Sequence, residues 1–523
     1  MRIPYYFSLA VLWTGVAVLA TFWRPALYGL WFVVPYTLLG LYDILLSNHN
    51  VLRNYPVIGH LRYMMEFISP EIRQYFIETN QSGRPYNRET RNLVYARAEG
   101  LSETLPFGTQ QEITAPGFAY AQPTLAPTVP SPASTRILIG GPDCTQPYDA
   151  SRLNISGMSF GALSYTAIQA LNRGAQLGGF AHNTGEGGIS PYHHNGGDLI
   201  WQIGTAYFGC RTPQGRFDPE AFARLAGEPQ VRMIELKLSQ GAKPSHGGML
   251  PAAKISPEIA RIRGIPEGED CISPPMHNTF DSPFSLLQFI ARLRALSGGK
   301  PVGIKLCIGR REEFMGICKA MLETGITPDF ISVDGAEGGT GAAPVEFTDN
   351  LGTPLNEALV FVHSCLNGIG LRDRIRIIAS GKIATGFDMI EKIALGADLC
   401  SMARPMMFAL GCIQALRCNR NTCPSGVATQ DRRRARAIDV TSKAARVCRF
   451  HQATMRSFVN LCGALGVDDP DELQPHHIMR RMAEGTPRTC AEIYPYLETG
   501  ALLGGSPPPA YAAEWRAASA QHF

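Results

Sequence analysis

Phe330-Ile331-Ser332-Val333-Asp334-Gly335-Ala336-Glu337-Gly338-Gly339-Thr340-Gly341 is a short apolar run that ends in a glycine-rich loop. Such a run suits a buried strand, and the loop behind it opens backbone amides to close approach. The same phrase recurs along the chain. Candidate strands are Leu153–Ser156, Phe180–Asn183, Ile200–Ile203, Met233–Leu238, Val302–Cys307, Phe330–Val333, Ile375–Ala379 and Leu399–Met402. Helical stretches include Ser164–Leu177, Pro283–Leu296, Glu312–Thr324, Asn356–Leu366 and Gly386–Leu395. Strands separated by helices imply parallel pairing with right-handed crossovers, and eight of them suggest an α/β fold closed as a (β/α)8 TIM barrel.

A doubly wound sheet is the rival. No Gly-x-Gly-x-x-Gly follows a strand and opens a helix with an acidic residue some twenty positions on, so a dinucleotide site is not supported. Special residues instead sit after the strands: Ser156 to Gly161, Thr184-Gly185-Glu186-Gly187-Gly188, Asp334 to Gly341, Ser380-Gly381-Lys382 and Ala403-Arg404. That is where a barrel keeps its active site. Gly338, Gly339, Thr340 and Gly341 with Gly381 and Lys382 suit a phosphate-bearing cofactor, although glycine pairs taken singly are more often turns. Lys305 interrupts an apolar strand, where a charge is costly without a partner. It either faces a flavin ring across the barrel mouth or pairs with a neighbouring carboxylate. Lys237, Gln240, Lys243, Lys254 and Arg263 add donors for an anionic substrate, unless they are surface charges.

After the last strand comes Gly411-Cys412-Ile413-Gln414-Ala415-Leu416-Arg417-Cys418-Asn419-Arg420-Asn421-Thr422-Cys423-Pro424. Three thiols in one irregular segment, with proline behind the third, have iron–sulfur ligand spacing, against the alternative of inert buried thiols.

The first fifty residues hold two apolar runs, Tyr5–Trp23 and Ala26–Leu46, joined by Arg24-Pro25. Each approaches the ~20 residues that cross a bilayer, and the tight joint suits a transmembrane helical hairpin; buried core helices are the bland alternative. Arg2 before the runs and Arg53, Arg62, Arg73, Arg84, Arg88, Arg91 and Arg97 after them place both flanks in the cytoplasm. The expectation is a protein of the inner (cytoplasmic) membrane with its catalytic domain in the cytoplasm. Thirteen cysteines, an odd number scattered through apolar segments, fit a reducing compartment better than a disulfide framework. A net charge of +4 with 18% charged residues gives no reason to expect nucleic acid. The domains expected are a two-helix anchor over 1–50, a connector or collar over 51–150 with a helix near Leu61–Thr79 broken at Pro70, a barrel with its thiol segment over 151–470, and a C-terminal extension over 471–523.

Several stretches together resemble the synthase domain of the glutamate synthase family. They are Gly157-Met158-Ser159-Phe160-Gly161, Asn183-Thr184-Gly185-Glu186-Gly187-Gly188, Gln240-Gly241-Ala242-Lys243-Pro244, Ile272-Ser273-Pro274-Pro275, Gly338 to Ala342, and Cys412 to Gln430. The likeness covers roughly 150–470 and implies FMN over the barrel mouth. It also implies a 3Fe-4S cluster on Cys412, Cys418 and Cys423, and hydride delivery to the imine formed from ammonia and 2-oxoglutarate. Cofactor contacts implied are Gly157, Met158, Ser159, Asn183, Thr184, Gln202, Lys305, Gly338, Gly339, Thr340, Gly341, Gly381 and Lys382. Lys243, Arg263 and Glu186 are the implied catalytic set, with Lys243 and Arg263 holding the carboxylates of the oxo acid. The chain departs from the family at Met249, where a glutamine is usual, and a thioether cannot donate to a carboxylate. The family's amidotransferase domain with its N-terminal cysteine nucleophile, and its C-terminal β-helix, have no counterpart here, so ammonia comes free, from a separate subunit, or not at all.

The leading expectation is a membrane-tethered FMN/iron–sulfur oxidoreductase acting on CH–NH2 donors, reductively aminating 2-oxoglutarate or a related oxo acid in glutamate biosynthesis. Its partners are the small substrate, the membrane and an electron donor or acceptor, either a ferredoxin-like protein or a membrane carrier. One alternative is an FMN-dependent hydroxy- or amino-acid dehydrogenase feeding a membrane carrier; the other is a non-catalytic redox-sensing membrane protein.

Overall fold

The computed structural model describes residues 2–523. The chain divides into two compact units, residues 1–87 and Arg88–Phe523.

In the first unit, Ile3–Phe22 and the segment Arg24–Leu45 are long and apolar enough to cross a membrane, and they bury little of their surface. Tyr5 Oη donates to the Thr37 carbonyl at 3.0 Å, Trp13 Nε1 donates to Thr37 Oγ1 at 3.0 Å, and Ser8 and Tyr36 hydroxyls meet at 2.7 Å. Polar side chains thus pair between the two helices and turn apolar ones outward. Asp43 is buried and accepts from the Val57 amide at 2.8 Å and from His60 Nε2 at 2.8 Å. The expected break at Pro70 does not occur. The helix Gly59–Ile72 carries Pro70 inside its last turn and continues as a π-turn, Arg73–Ile77, because the wider spacing re-satisfies carbonyls that the proline cannot reach.

The second unit is built on eight parallel strands closed into a barrel in sequence order. They are β1 (Leu153–Ile155), β2 (His182–Asn183), β3 (Leu199–Ile203), β4 (Val231–Lys237), β5 (Val302–Leu306), β6 (Phe330–Asp334), β7 (Arg376–Ser380) and β8 (Leu399–Met402). Closure is between β8 and β1, with Cys400 opposite Leu153 and Met402 opposite Ile155. The fold expected from the sequence is the fold observed, each strand lying within two residues of its expected bounds.

Because side chains alternate in a strand, one residue in two points into the barrel, and the inward set changes character along the axis. Met233, Phe330, Ile200, Ile378 and Leu399 belong to an apolar cluster at the base. Two short antiparallel strands, Arg136–Ile139 and Tyr148–Ser151, contribute Ile137, Ile139, Tyr148 and Ala150 to that cluster. Above it the inward residues are polar: Asn183, Gln202, Glu235 and Ser332, then Lys237, Lys305 and Asp334. The base is a sealed core, so the chemistry is confined to the other end.

Helices cover the barrel outside. The longest, Val440–Ala464, packs along Tyr165–Gly178, where Gly174 is needed: a Cβ there would come 2.8 Å from Val447. The C-terminal strand Ile478–Arg481 pairs with Ala119–Ala121 and Pro487–Thr489.

Candidate functional site

The floor of the mouth is organised by a carboxylate that sequence reading passed over. Glu235, only 3% exposed, accepts from Asn183 Nδ2 and Gln202 Nε2 through Oε1, each at 2.7 Å, and from Ser332 Oγ through Oε2 at 2.5 Å. Charge-assisted bonds of this kind fix both amides in one orientation. Asn183 Oδ1 in turn accepts from the Gly185 amide at 3.0 Å, and the Gln202 amide donates to Thr184 Oγ1 at 3.1 Å. Gly157 closes over this pair, since a Cβ there would lie 2.9 Å from Gln202 Nε2 and 3.0 Å from Asn183 Oδ1. Of the expected cofactor contacts, Gly157, Asn183, Thr184 and Gln202 therefore form one connected surface. Met158 and Ser159 continue it, with Met158 buried.

Lys305 stands beside this floor, with Nζ 3.4 Å from Asp334 Oδ1. Burial opposes its charge, but Asp334, Glu235 and Glu186 outweigh burial and raise its pKa, so it is a fixed cation. Of the two expectations for Lys305, the pairing with a neighbouring carboxylate is the one observed.

The glycine loops after β6 and β7 adjoin. A Cβ on Gly381 would sit 3.3 Å from the Gly335 amide, and one on Gly241 would strike the Gly335 carbonyl at 1.7 Å, so that approach is available only to glycine. Lys382 is exposed and takes a left-handed φ of 53°, a conformation an L side chain holds at a cost. Arg404, after β8, donates from Nη2 to the Glu337 carbonyl at 2.6 Å and lies 2.8 Å from where a Cβ on Gly339 would be. Gly338, Gly339, Thr340 and Gly341 thus form an open glycine edge with an arginine against it. Arg404 was visible in the sequence as a charge just after a strand.

A second cluster lies beside the floor. Lys237 Nζ is 3.0 Å from Glu186 Oε2 and donates to Gln240 Oε1 at 2.6 Å. Burial pushes Glu186 up, but Lys237, Lys243 and Arg263 hold its pKa below the usual carboxylate range. Lys243 is 2% exposed and its Nζ has no hydrogen-bond partner among the described residues. Burial lowers its pKa to about 8, against the pull of Glu186. Arg263 Nη2 donates to the Phe160 carbonyl at 3.1 Å and stands 3.4 Å from Ser159 Oγ, while its buried Nε has no hydrogen-bond partner among the described residues. Three cations around one carboxylate leave a net positive pocket. Gly248 presses on Glu186, a Cβ there lying 2.5 Å from Oε1, which puts Met249 next to the pocket edge. His277, also missed from sequence, accepts from Tyr207 Oη at 2.9 Å and donates to the Lys237 carbonyl at 2.9 Å, anchoring the end of β4.

Lys254 does not join this pocket. Its buried Nζ donates to the Ala162 carbonyl at 3.2 Å and the Ala428 carbonyl at 3.0 Å, toward the thiol segment.

The thiol segment follows β8 and the short helix Arg404–Ala409. Burial and the facing Cys418 and Cys423 push the Cys412 thiol up to about 12. Cys423 is the exception: burial raises it, but the Ser425 hydroxyl and backbone amides of Ser425, Val427 and Ala428 outweigh burial and favour its thiolate. Gln414, Leu416 and Asn421 all have left-handed φ, near 55°, so strain is concentrated between the thiols. The three thiols are gathered in one loop, yet among the described residues no three His, Cys, Asp or Glu side chains meet at metal-binding distances. All thirteen cysteines are free. A Cβ on Gly341 would come within 2.9 Å of Cys418 Cβ, so the segment touches the glycine edge.

A closed barrel with a fixed polar floor, a glycine-and-arginine edge and a cationic pocket at its carboxyl end is a small-molecule-binding barrel of the enzyme type. The chain belongs to the glutamate synthase family, residues 143–468 matching its conserved region. It is 37% identical over 482 residues to the glutamate synthase large subunit-like protein YerD of Bacillus subtilis, covering 84% of this chain and 91% of that one. It is 33% identical over 321 residues to the archaeal glutamate synthase (NADPH) of Archaeoglobus fulgidus, covering 61% of this chain and 60% of that protein. The chain thus spans about 60% of the length of that archaeal relative. Among solved structures, mandelate oxidase with benzoyl-formic acid aligns at a TM-score of 0.42 and 15% identity, over 71% of this chain and 86% of that one.

Proposed function

We propose that this chain is an FMN- and iron–sulfur-dependent oxidoreductase of the glutamate synthase type, tethered to the inner membrane by its N-terminal helix pair, that reductively aminates 2-oxoglutarate or a related oxo acid. The observation that carries the reading is Lys243: a buried ammonium with no hydrogen-bond partner among the described residues, beside a carboxylate, is the arrangement of a site awaiting an anion. Lys243 and Arg263 offer charge to carboxylates, and Glu186 between them and Lys237 can accept a hydrogen bond from an iminium nitrogen. That combination suits an imino acid better than a hydroxy acid, which brings no nitrogen cation to Glu186.

The residues present also fit FMN. The amides of Asn183 and Gln202, fixed by Glu235 on the floor of the mouth, suit the polar edge of a flat ring, and Gly338 to Gly341, Gly381, Lys382 and Arg404 suit its phosphate. When bound, FMN supplies hydride to the imine carbon. Lys305 would offer that group a fixed cation, and Asn183 and Gln202, held by Glu235, would offer it amides of defined polarity. Cys412, Cys418 and Cys423 are the residues that would hold a 3Fe-4S cluster, with the loop drawn in to bring them to the metal-binding distances they do not reach here.

The test is anaerobic mixing of the photoreduced enzyme with 2-oxoglutarate and ammonia. Reoxidation of the flavin requiring both supports the reading. Its failure, together with rapid bleaching of the oxidised enzyme by a hydroxy or amino acid, favours the dehydrogenase alternative.

A further inference from the structure

The helix Gly59–Ile72 has two unlike sides. Leu61, Met64, Met65, Ile68 and Ile72 recur at the three- and four-residue steps that line up side chains along one side of a helix. Arg62, Glu66, Ser69 and Arg73 recur at the same steps along another, with Arg62 Nη2 2.8 Å from Glu66 Oε1. In a globular protein the apolar side of such a helix turns inward. Here Leu61, Met64 and Met65 are each more than half exposed, as are Ile58 just before the helix and Tyr75, Phe76 and Ile77 in the π-turn that continues it. A contiguous apolar stripe of this length marks a surface that meets something other than water.

What meets it follows from where the helix begins. Asp43, in the last turn of the apolar segment Arg24–Leu45, accepts from the Val57 amide at 2.8 Å and from His60 Nε2 at 2.8 Å. Arg2, just before the other apolar helix, Ile3–Phe22, donates from Nε to the Arg53 carbonyl at 2.9 Å. The first turn of Gly59–Ile72 is therefore pinned to the end of the pair where one apolar helix starts and the other finishes. Tyr63, on the side away from Leu61 and Met65, packs on His49 with ring centroids 4.9 Å apart. The stripe is left turned away from the contacts that hold the helix.

We propose that Gly59–Ile77 is an interfacial helix, lying in the headgroup layer of a lipid bilayer with Leu61, Met64 and Met65 against the acyl chains and Arg62, Glu66 and Arg73 toward water. The inference rests on the reading of the two apolar helices as membrane spans and goes beyond it. The spans hold the chain to the bilayer, and this helix adds a contact along its surface.

The experiment reconstitutes the full chain in phosphatidylcholine nanodiscs containing a phospholipid with a diazirine near the glycerol end of one acyl chain. After illumination, lipid adducts are mapped by peptide mass spectrometry. Adducts are expected on peptides from 58–77 as well as on the two apolar helices. In the L61E/M65E variant, whose exposed positions take a charge without entering a core, adducts over 58–77 should fall about tenfold or more while those on the apolar helices stay; the apolar control L61M/M65L should keep both. Adducts on the apolar helices with none over 58–77, or an L61E/M65E pattern equal to the parent's, overturn the proposal and leave the tether standing. Adducts on neither overturn the tether reading with it. A stripe free of lipid in a dimer that L61E/M65E dissociates, read by sedimentation in detergent, assigns the face to a second copy and overturns it too.

Discussion

Lys305 Nζ lies 3.4 Å from Asp334 Oδ1, across adjacent strands, with both side chains buried at the barrel mouth. Asp334 Oδ2 also accepts from the Gly241 amide at 2.8 Å, so one carboxylate holds both the cation and the loop that begins the cationic pocket. Breaking such a pair strands the remaining charge at a cost of about 3–5 kcal/mol, whereas removing both charges costs far less. Asp334→Asn should lower the unfolding free energy read from urea titration by that amount and weaken flavin retention. K305M/D334N should recover most of the stability but none of the activity, which separates folding from function. Equal stability of single and double variants would show that the pair is not coupled.

Lys243 makes anion binding depend on pH. Its folded pKa of about 8 lies below the ordinary lysine value of 10.5, so its burial penalty is fully present below pH 8 and relieved as pH rises from 8 to 10.5. Substrate needs the charged form. Affinity for 2-oxoglutarate should therefore be flat up to about pH 7.5 and then fall, approaching tenfold per unit, with proton uptake on binding above pH 8. Calorimetry in buffers of differing ionisation enthalpy reads that uptake. Lys243→Met should remove the pH dependence and most of the affinity together, while Lys243→Arg should remove the dependence alone.

The strands could be read from sequence because each is a short apolar run punctuated by glycine, and the loop residues because they follow those runs. Glu235 could not. It is one acidic residue in Val231-Arg232-Met233-Ile234-Glu235-Leu236-Lys237, and only closure of the barrel brings Asn183, Gln202 and Ser332 from three other strands onto it. His277 was equally silent, since its partners are a tyrosine seventy residues earlier and a main-chain carbonyl. Lys254 is open in the sequence for the same reason: position after a strand does not say which way a lysine turns, and here it turns to the Ala162 and Ala428 carbonyls. Local pattern encodes the scaffold, and long-range closure encodes the site.

Cys418 and Lys254 test the thiol segment from two sides. Cys418→Ser should abolish iron binding, read by iron content and visible absorbance, while FMN is retained. Lys254 has a structural task instead, because its Nζ bridges Ala162, after β1, to Ala428, beyond the thiols. Lys254→Met leaves the buried Ala428 carbonyl and the half-buried Ala162 carbonyl short of a donor, a loss of roughly 1–3 kcal/mol. Iron should then be lost on mild heating before the barrel unfolds. Iron release coincident with global unfolding in both parent and variant would show that Lys254 does not hold the segment.

Buried histidines set the acid limit of the second unit. Burial holds the pKa of His277, His363 and His451 down to about 4 and of His193 to about 3, and pushes His182 well below its ordinary value. Each binds fewer protons folded than unfolded. Stability is therefore complete above the unfolded value near 6.5 and falls as pH drops from there toward the folded values. At pH 5 each histidine withdraws about 2 kcal/mol, so together they rival the ~5–15 kcal/mol that holds a domain folded. Denaturant midpoints should be level from pH 8 to 7 and collapse between 6 and 5. His451 allows a single-site check: it stacks on Phe180 at 3.9 Å, and its Nε2 lies 3.1 Å from Ser151 Oγ and 3.0 Å from the Leu153 carbonyl. His451→Phe keeps the stack and removes one titrating group. Despite a lower stability at pH 8 from the lost hydrogen bond, its fall between pH 7 and 5 should be about 2 kcal/mol shallower than the parent's. An unchanged slope would show that His451 is not titrated by unfolding.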